Sequence, residues 1–286
     1  MSAVMWLFAL PALLINICII LIPGLLTLLA AFFFWDGVGT PVWAGLANFQ
    51  NLFDDPVFWT ALSNNFIWTA IFLIVPMCLA LVMAAALMMV PSSRIVVQSI
   101  IFLPRILAAA ITGRIFQGMI FSPATGLVGW LNGHGLSISD PLADPDRSLY
   151  AVAAVDIWHW WGFLAVVYFA AMRQISIDQI EAARLDGAGF FALLRYVLLP
   201  GIRPTLALMM ILTVIWSFQV FEFIYIVTQG GPANGSEVLA TLAYRHAFFE
   251  GDVGKATAAA CVMSLFGLIA TSAYLWLQTR DSAHAA

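Results

Sequence analysis

Arg105, Asp156, His159, Trp216, Gln219, Glu222 and Tyr225 stand inside long apolar runs. Polar and ionisable groups are rare there because leaving water is costly, so each is a functional candidate by default. Trp216, Gln219, Glu222 and Tyr225 recur every three residues, with Phe223 beside them, and on a continuous helix they form one polar-aromatic stripe. The chemistry open to such a stripe is binding. Aromatic rings can lie against the apolar face of a pyranose while amides and carboxylates take its hydroxyls. The plainer alternative has Trp216 and Tyr225 packing against lipid. Asp156 and His159 are about one turn apart amid Trp158, Trp160 and Trp161. The histidine reads either as a satisfied interior residue or as a ligand, and the tryptophans equally fit an interfacial belt. Asn64 and Asn65 fall at the outer end of an earlier run, where they either cap its helix or line a cavity mouth.

Arg105 and Arg114 share one apolar run. At about 1.5 Å per residue from Ile95, Arg105 lies roughly 15 Å deep, near a bilayer midplane, with Arg114 nearer the outside. On a straight helix the nine-residue spacing puts them on opposite faces. Glu222 and Asp156 lie at the depth of Arg114 and would neutralise it. Arg105 has no acid at matching depth, which leaves it to backbone carbonyls, a water-filled cavity or an anionic group on a solute.

Other chemistry is not signalled. Four scattered histidines and the lone Asp156/His159 pair supply no paired carboxylates, metal-spaced cluster or activated nucleophile, so neither catalytic nor metal residues are expected. Cys18, Cys78 and Cys261 are far apart in apolar runs and read as small packing residues. A single lysine, Lys255, and the absence of a basic patch exclude nucleic acid as a partner.

The elements that must position these residues follow from composition. Hydrophobic residues make up 63% of the 286 and charged ones 9%, against roughly 25% charge in a soluble domain. This is an integral membrane protein surrounded by lipid. Spans of about 20 apolar residues are expected over 6–34, 66–90, 95–121, 150–172, 205–228 and 256–277, giving an all-α, six-helix bundle in a single domain, 1–286. The first run has no basic segment before it and is too long for a signal peptide, so it reads as a retained span. Arg94, Arg173, Arg184, Arg195, Arg203 and Arg280 fall on one side of this topology. Only Arg147, Arg245 and Lys255 fall on the other, with most of the acids, so both termini and the 173–204 loop are assigned to the cytoplasm.

That loop is a polar, helix-prone island. Asp178 suits an N-cap, and Gly187 ends a first short helix or admits another backbone. Phe190, Phe191, Leu194 and Val197 then recur at helical spacing to Pro200, which terminates a second helix. Glu181-Ala182-Ala183, three residues, Gly187, nine residues, Val197, one residue and Leu199-Pro200 resemble the EAA loop of binding-protein-dependent ABC importer permeases, with valine where isoleucine is usual. Asn48-Phe49, the 58–64 stretch, Phe102-Leu103-Pro104, Ser122-Pro123, Thr228 to Pro232 and Tyr244 to Phe248 are similar to the carbohydrate, maltose-permease-like branch. Asn65 stands where threonine is common, and Arg105 where an aromatic residue is frequent.

The resemblance implies a permease in a bacterial cytoplasmic (inner) membrane. It would work with a second permease subunit of different sequence, two ATP-binding subunits and an external solute-binding protein. Glu181, Ala182, Ala183, Arg184, Asp186, Gly187 and Pro200 would form a coupling elbow seated in the ATPase, and ATP and Mg would sit on that partner, with no cofactor on this chain. Consistent with that, no Gly-x-x-x-x-Gly-Lys-Ser/Thr loop occurs. A secondary transporter would instead show internal repeats, and none is visible. The solute would be a sugar, with an anionic sugar derivative or a polyol as the alternative.

Overall fold

A computed structural model describes residues 3–90 and 93–284. The side chains of Trp6, Leu277 and Arg280 and the two chain ends lie outside the described residues. Among the described residues the fold is all-α apart from one hairpin of two two-residue strands. Among the described residues four helices are long and apolar enough to cross a bilayer: Leu10–Ala30, Pro56–Met89, Pro145–Met172 and Val253–Trp276. Two bent pairs bring the count to six when each is taken as one span, Arg94–Ile106 with Ala109–Phe121 and Phe190–Gly201 with Arg203–Phe218.

Two of the helices start earlier than apolarity alone suggests. Pro56–Met89 begins ten residues before the expected 66 because Asp55 Oδ1 accepts from the Val57 N–H at 2.9 Å and Pro56 fits the first turn. Pro145–Met172 is capped the same way, with Asp144 Oδ1 accepting from Asp146 N at 3.0 Å and Pro145 opening the helix.

Contacts group the chain into two units, 1–59 with 239–265 and 60–238 with 266–286. In the first, no residue of Leu10–Ala30 is buried, so this span turns its whole apolar surface outward. A hairpin follows, Phe33↔Trp43 and Phe34↔Val42. Its turn is held by Asp36, whose carboxylate accepts from Val38 N and Gly39 N; these bonds hold its pKa below the ordinary value. Asn48 is buried and donates to Ala31 O and Phe33 O at 3.0 and 2.8 Å. Lys255 Nζ pairs with Asp55 at 3.1 Å.

The second unit carries two buried clusters. One joins Met77, Leu87, Leu164, Tyr168 and Met172 to Ile180, Leu193, Leu198 and Ile202 of the loop region. The other joins Trp68, Phe72, Val152, Val155, Phe223 and Ile224. Lipid tails are as apolar as leucine, so such helices associate by close packing at small residues. Gly162 is the clearest case: a Cβ there would lie 1.8 Å from the Ile101 carbonyl oxygen. Only glycine lets Arg94–Ile106 press this closely on Pro145–Met172.

The expected third span is not straight. It breaks at Leu107 and Ala108, both extended, and bends by 94°. Arg105 and Arg114 therefore lie on two differently directed helices rather than on opposite faces of one. The expected fifth span also breaks: the helix ends at Phe218, residues 219–221 are irregular, and a short helix Glu222–Val227 follows. Cys18 and Cys78 are exposed on the apolar surface rather than packed inside, and no disulfide occurs among the described residues.

Candidate functional site

Between these elements of the second unit lies a cavity of about 650 Å³. Six of the seven intramembrane candidates named at the outset line it: Arg105, Asp156, His159, Trp216, Gln219 and Glu222. The break after Phe218 is the reason the stripe survives in altered form. Trp216 sits in the last turn of one helix, Gln219 in the irregular link, and Glu222 opens the next helix. Tyr225, past that turn, is not on the cavity; its ring stacks on Phe221 at 5.0 Å.

Asn64 and Asn65 neither cap a helix nor line the cavity, because the longer helix puts both within its third turn. Asn64 Nδ2 donates to Gly235 O and Glu237 O at 3.1 and 2.8 Å. Asn65 Nδ2 donates to Ser217 O at 2.8 Å, satisfying a carbonyl that the helix end at Phe218 leaves without an intrahelical partner.

The acids are placed differently from the expectation. Asp156 and Glu222 line the cavity with Arg105 and do not pair with Arg114, whose Nη1 donates to Gln117 Oε1 at 3.1 Å. Gln117 in turn donates to Val227 O at 2.6 Å. The bend explains the exchange: it carries Arg114 away on the outer half-helix, which packs against Glu222–Val227 where a Cβ on Gly113 would meet Ile226 at 2.7 Å.

Arg105 is held on three sides. Its guanidinium lies 4.7 Å from the Trp160 ring centroid and 5.9 Å from Phe163, and Nη1 is 3.2 Å from His159 Nδ1. His159 also bonds Leu107 O through Nε2 at 3.2 Å and meets the Phe223 ring edge-on. The histidine is thus a satisfied interior residue that also borders the cavity. Trp160, for which the sequence leaves an interfacial belt open, is a cavity wall crossing Trp216 at right angles, 4.8 Å between centroids.

Sequence reasoning missed Trp68, Phe72, Phe163, Thr213 and Ser217 on the cavity wall. Aromatic and hydroxyl residues in a span look like ordinary packing, so nothing local marks them. Thr213 Oγ1 is buried with no hydrogen-bond partner in the structure, and Gln219 and Glu222 make no side-chain hydrogen bond among the described residues. The cavity therefore combines aromatic surfaces with free hydroxyl, amide and carboxyl groups. It can hold a polyhydroxylated solute, and it contains no nucleophile–base pair.

The 173–204 loop folds as an elbow. Ile177–Leu185 is followed by Gly187 at φ +82°, with Gly187 N donating to Arg184 O at 3.0 Å and Ala188 N to Ala183 O at 2.9 Å. This is a glycine C-cap with both crossed bonds. Nothing lies within 4 Å of a Cβ on Gly187, so the glycine serves the turn rather than a close approach within this chain. Ser176, not Asp178, is the N-cap residue, because the helix starts at Ile177 and puts Asp178 in its first turn. The second arm runs through a π turn, Leu194–Leu198, and on through Pro200 to Gly201, since Pro200 sits in the first turn of Leu199–Gly201 where no N–H is needed. Ile180, Leu193 and Leu198 bury the elbow against the bundle. Glu181, Arg184 and Asp186 are exposed without a side-chain partner among the described residues, beside Leu185 and Phe191, 88% and 76% exposed.

A multi-pass bundle with a polar cavity in one unit and an outward-facing elbow is the architecture of a membrane transport subunit. The chain is 30% identical over 275 residues to a probable ABC transporter permease protein of Pyrococcus horikoshii, covering 94% of each. It is 30% identical over 270 residues to a probable starch degradation products transport system permease protein of Thermoanaerobacterium thermosulfurigenes, covering 91% of this chain and 88% of that one. Among solved structures it resembles a bacterial ABC transporter involved in the import of the acidic polysaccharide alginate (TM-score 0.82, 26% identity, 95% and 94% of the two chains). It also resembles a bacterial alginate ABC transporter in complex with alginate pentasaccharide-bound periplasmic protein (TM-score 0.81, 25% identity, 96% and 92%). No protein-family model matches. The chain belongs to the ABC transporter permeases: it is a transport subunit, not an enzyme.

Proposed function

We propose that this chain is one permease subunit of an ATP-driven importer that carries a neutral carbohydrate across a bacterial cytoplasmic membrane. The solute would arrive on an external solute-binding protein. This chain would pair with a second, different permease subunit and two ATP-binding subunits, which hold ATP and Mg. The observation that carries the solute class is the cavity itself, where Trp160 and Trp216 offer ring faces and Thr213, Gln219 and Glu222 offer unengaged polar groups. The starch-product relative supports a carbohydrate, as does the alginate importer, although the polysaccharide that importer takes is acidic. An anionic solute is disfavoured here because Arg105 is already bonded to His159, and two carboxyl groups, Asp156 and Glu222, share its cavity.

The elbow would transmit the power of ATP hydrolysis to the bundle. Exposed Glu181, Arg184 and Asp186 would meet the ATP-binding subunit, with Ala182 and Ala183 permitting close approach and Gly187 and Pro200 setting its shape. Closure of the ATPase pair would then swing the elbow as a rigid body and switch the bundle between inward- and outward-facing forms. The arginine bias of this side supports a cytoplasmic elbow and cytoplasmic termini. The test is uptake by the assembled complex in proteoliposomes with internal ATP, using maltose, trehalose, lactose, an alginate oligosaccharide and a sugar phosphate. Uptake of a neutral sugar is expected. Uptake of the anionic members alone would overturn the neutral assignment, and uptake of none would overturn the carbohydrate assignment.

A further inference from the structure

Leu107 and Ala108 interrupt a helix at membrane depth, where a backbone group without a partner is expensive. His159, 5% exposed, reaches the interruption from the neighbouring continuous helix. A guanidinium can only donate, so His159 Nδ1 must accept from Arg105 Nη1 at 3.2 Å. The proton of a neutral ring then sits on Nε2, which donates to Leu107 O at 3.2 Å. One tautomer makes both bonds. Arg105 lies two residues before the break, so the ring spans the end of the helix and the side chain projecting from it.

We infer that His159 is a positioning residue for transport: its neutral imidazole latches the Leu107 break to the Arg105 guanidinium, so that the bend and the cavity cation hold one geometry. The inference rests on reading the cavity as the solute path, and goes beyond it by giving separate tasks to the two ring nitrogens. Those tasks can be separated by amide variants. An asparagine oxygen sits where Nδ1 sits and accepts from Arg105, but its amide falls short of Leu107. A glutamine amide reaches the Nε2 position and donates to Leu107, leaving Arg105 without its acceptor.

The experiment uses the full complex in lipid nanodiscs, with hydrogen exchange read across 107–115 and phenylglyoxal labelling of Arg105 read by mass spectrometry. His159→Asn is expected to speed exchange about fivefold to tenfold, the loss of one hydrogen bond, while Arg105 labelling stays at the wild-type rate. His159→Gln is expected to do the reverse, and His159→Leu to show both changes. For the panel sugar that the wild-type complex carries, the Asn variant lowers maximal rate at near-normal KM, and the Gln variant raises KM. If the Asn and Gln variants respond alike in exchange and labelling, the ring is mere filling and the inference falls. Exchange and labelling need no sugar. A crossed pattern with no uptake from the panel would therefore overturn the carbohydrate reading and leave the latch standing.

Discussion

The elbow and the cavity both carry charged side chains, but they treat them oppositely. On the elbow, Glu181, Arg184 and Asp186 point outward without side-chain partners, while the backbone beneath is fully specified by the Gly187 turn and the buried Ile180, Leu193 and Leu198. In the cavity, Arg105 is fixed by His159, Trp160 and Phe163, while the backbone around it is broken at Leu107 and again after Phe218. An exposed surface can leave its charges without side-chain partners because water solvates them. Inside a membrane a broken backbone has no water to turn to, and it depends on side chains such as His159 and Asn65 to take up freed carbonyls.

The contrast can be broken first at the elbow. Gly187→Asp places a side chain on a residue at φ +82°, a backbone that aspartate tolerates better than most L-residues, so its main effect is the charge it adds at the proposed docking surface. Uptake should fall to background while the protein still inserts, as checked by membrane fractionation and transport assay. For the helices that carry the cavity residues the counterpart is Gly162→Ala, at their packing contact rather than on the cavity wall. A methyl 1.8 Å from Ile101 O must push Arg94–Ile106 away from its neighbour, so the variant should lose heat resistance in detergent and transport together. Overpacking of this kind costs about 1–3 kcal/mol. A stable, fully active Gly162→Ala protein would contradict the packing described for Arg105.

Smaller effects sharpen the comparison. Trp216→Ala removes one ring face, worth about 0.5–1.5 kcal/mol, so KM should rise up to about tenfold, measured as uptake against concentration. The Asp55–Lys255 pair tests the first unit. Burial raises the Asp55 pKa, but the Val57 N–H and Lys255 outweigh it, so the carboxyl titrates below its usual 3.8. A depressed folded pKa gives stability that is present above the unfolded value and lost as pH falls through the folded one. Hydrogen-exchange protection near Val57 should therefore weaken below about pH 4. Asp55→Asn should remove that acid-side loss and cost about 1 kcal/mol or less at neutral pH.

How much of this was legible in sequence differs between the two regions for the same reason. The elbow is local: the Glu-Ala-Ala…Gly spacing and the Gly187 turn act over a few residues, and only the cap at Ser176 and the run through Pro200 departed from expectation. The cavity is assembled from distant segments. Residue type and depth picked out Arg105, Asp156, His159, Trp216, Gln219 and Glu222, since polar groups in apolar runs are conspicuous. Periodicity assumed unbroken helices, so it kept Tyr225, assigned the acids to Arg114 and left Thr213 unnoticed. The breaks at Leu107 and Gln219 carry no local punctuation beyond Pro104, because the groups that hold them, His159 and Asn65, come from other helices.

The most direct test of the division between elbow and cavity measures ATP hydrolysis and sugar uptake in the same proteoliposomes for Gly187→Asp and Trp216→Ala. Gly187→Asp is predicted to abolish uptake and the solute-stimulated part of hydrolysis together. Trp216→Ala is predicted to keep stimulated hydrolysis tied to uptake while shifting both to higher sugar concentration. Normal uptake by Gly187→Asp, or uncoupled hydrolysis in Trp216→Ala with its KM unchanged, would contradict the account.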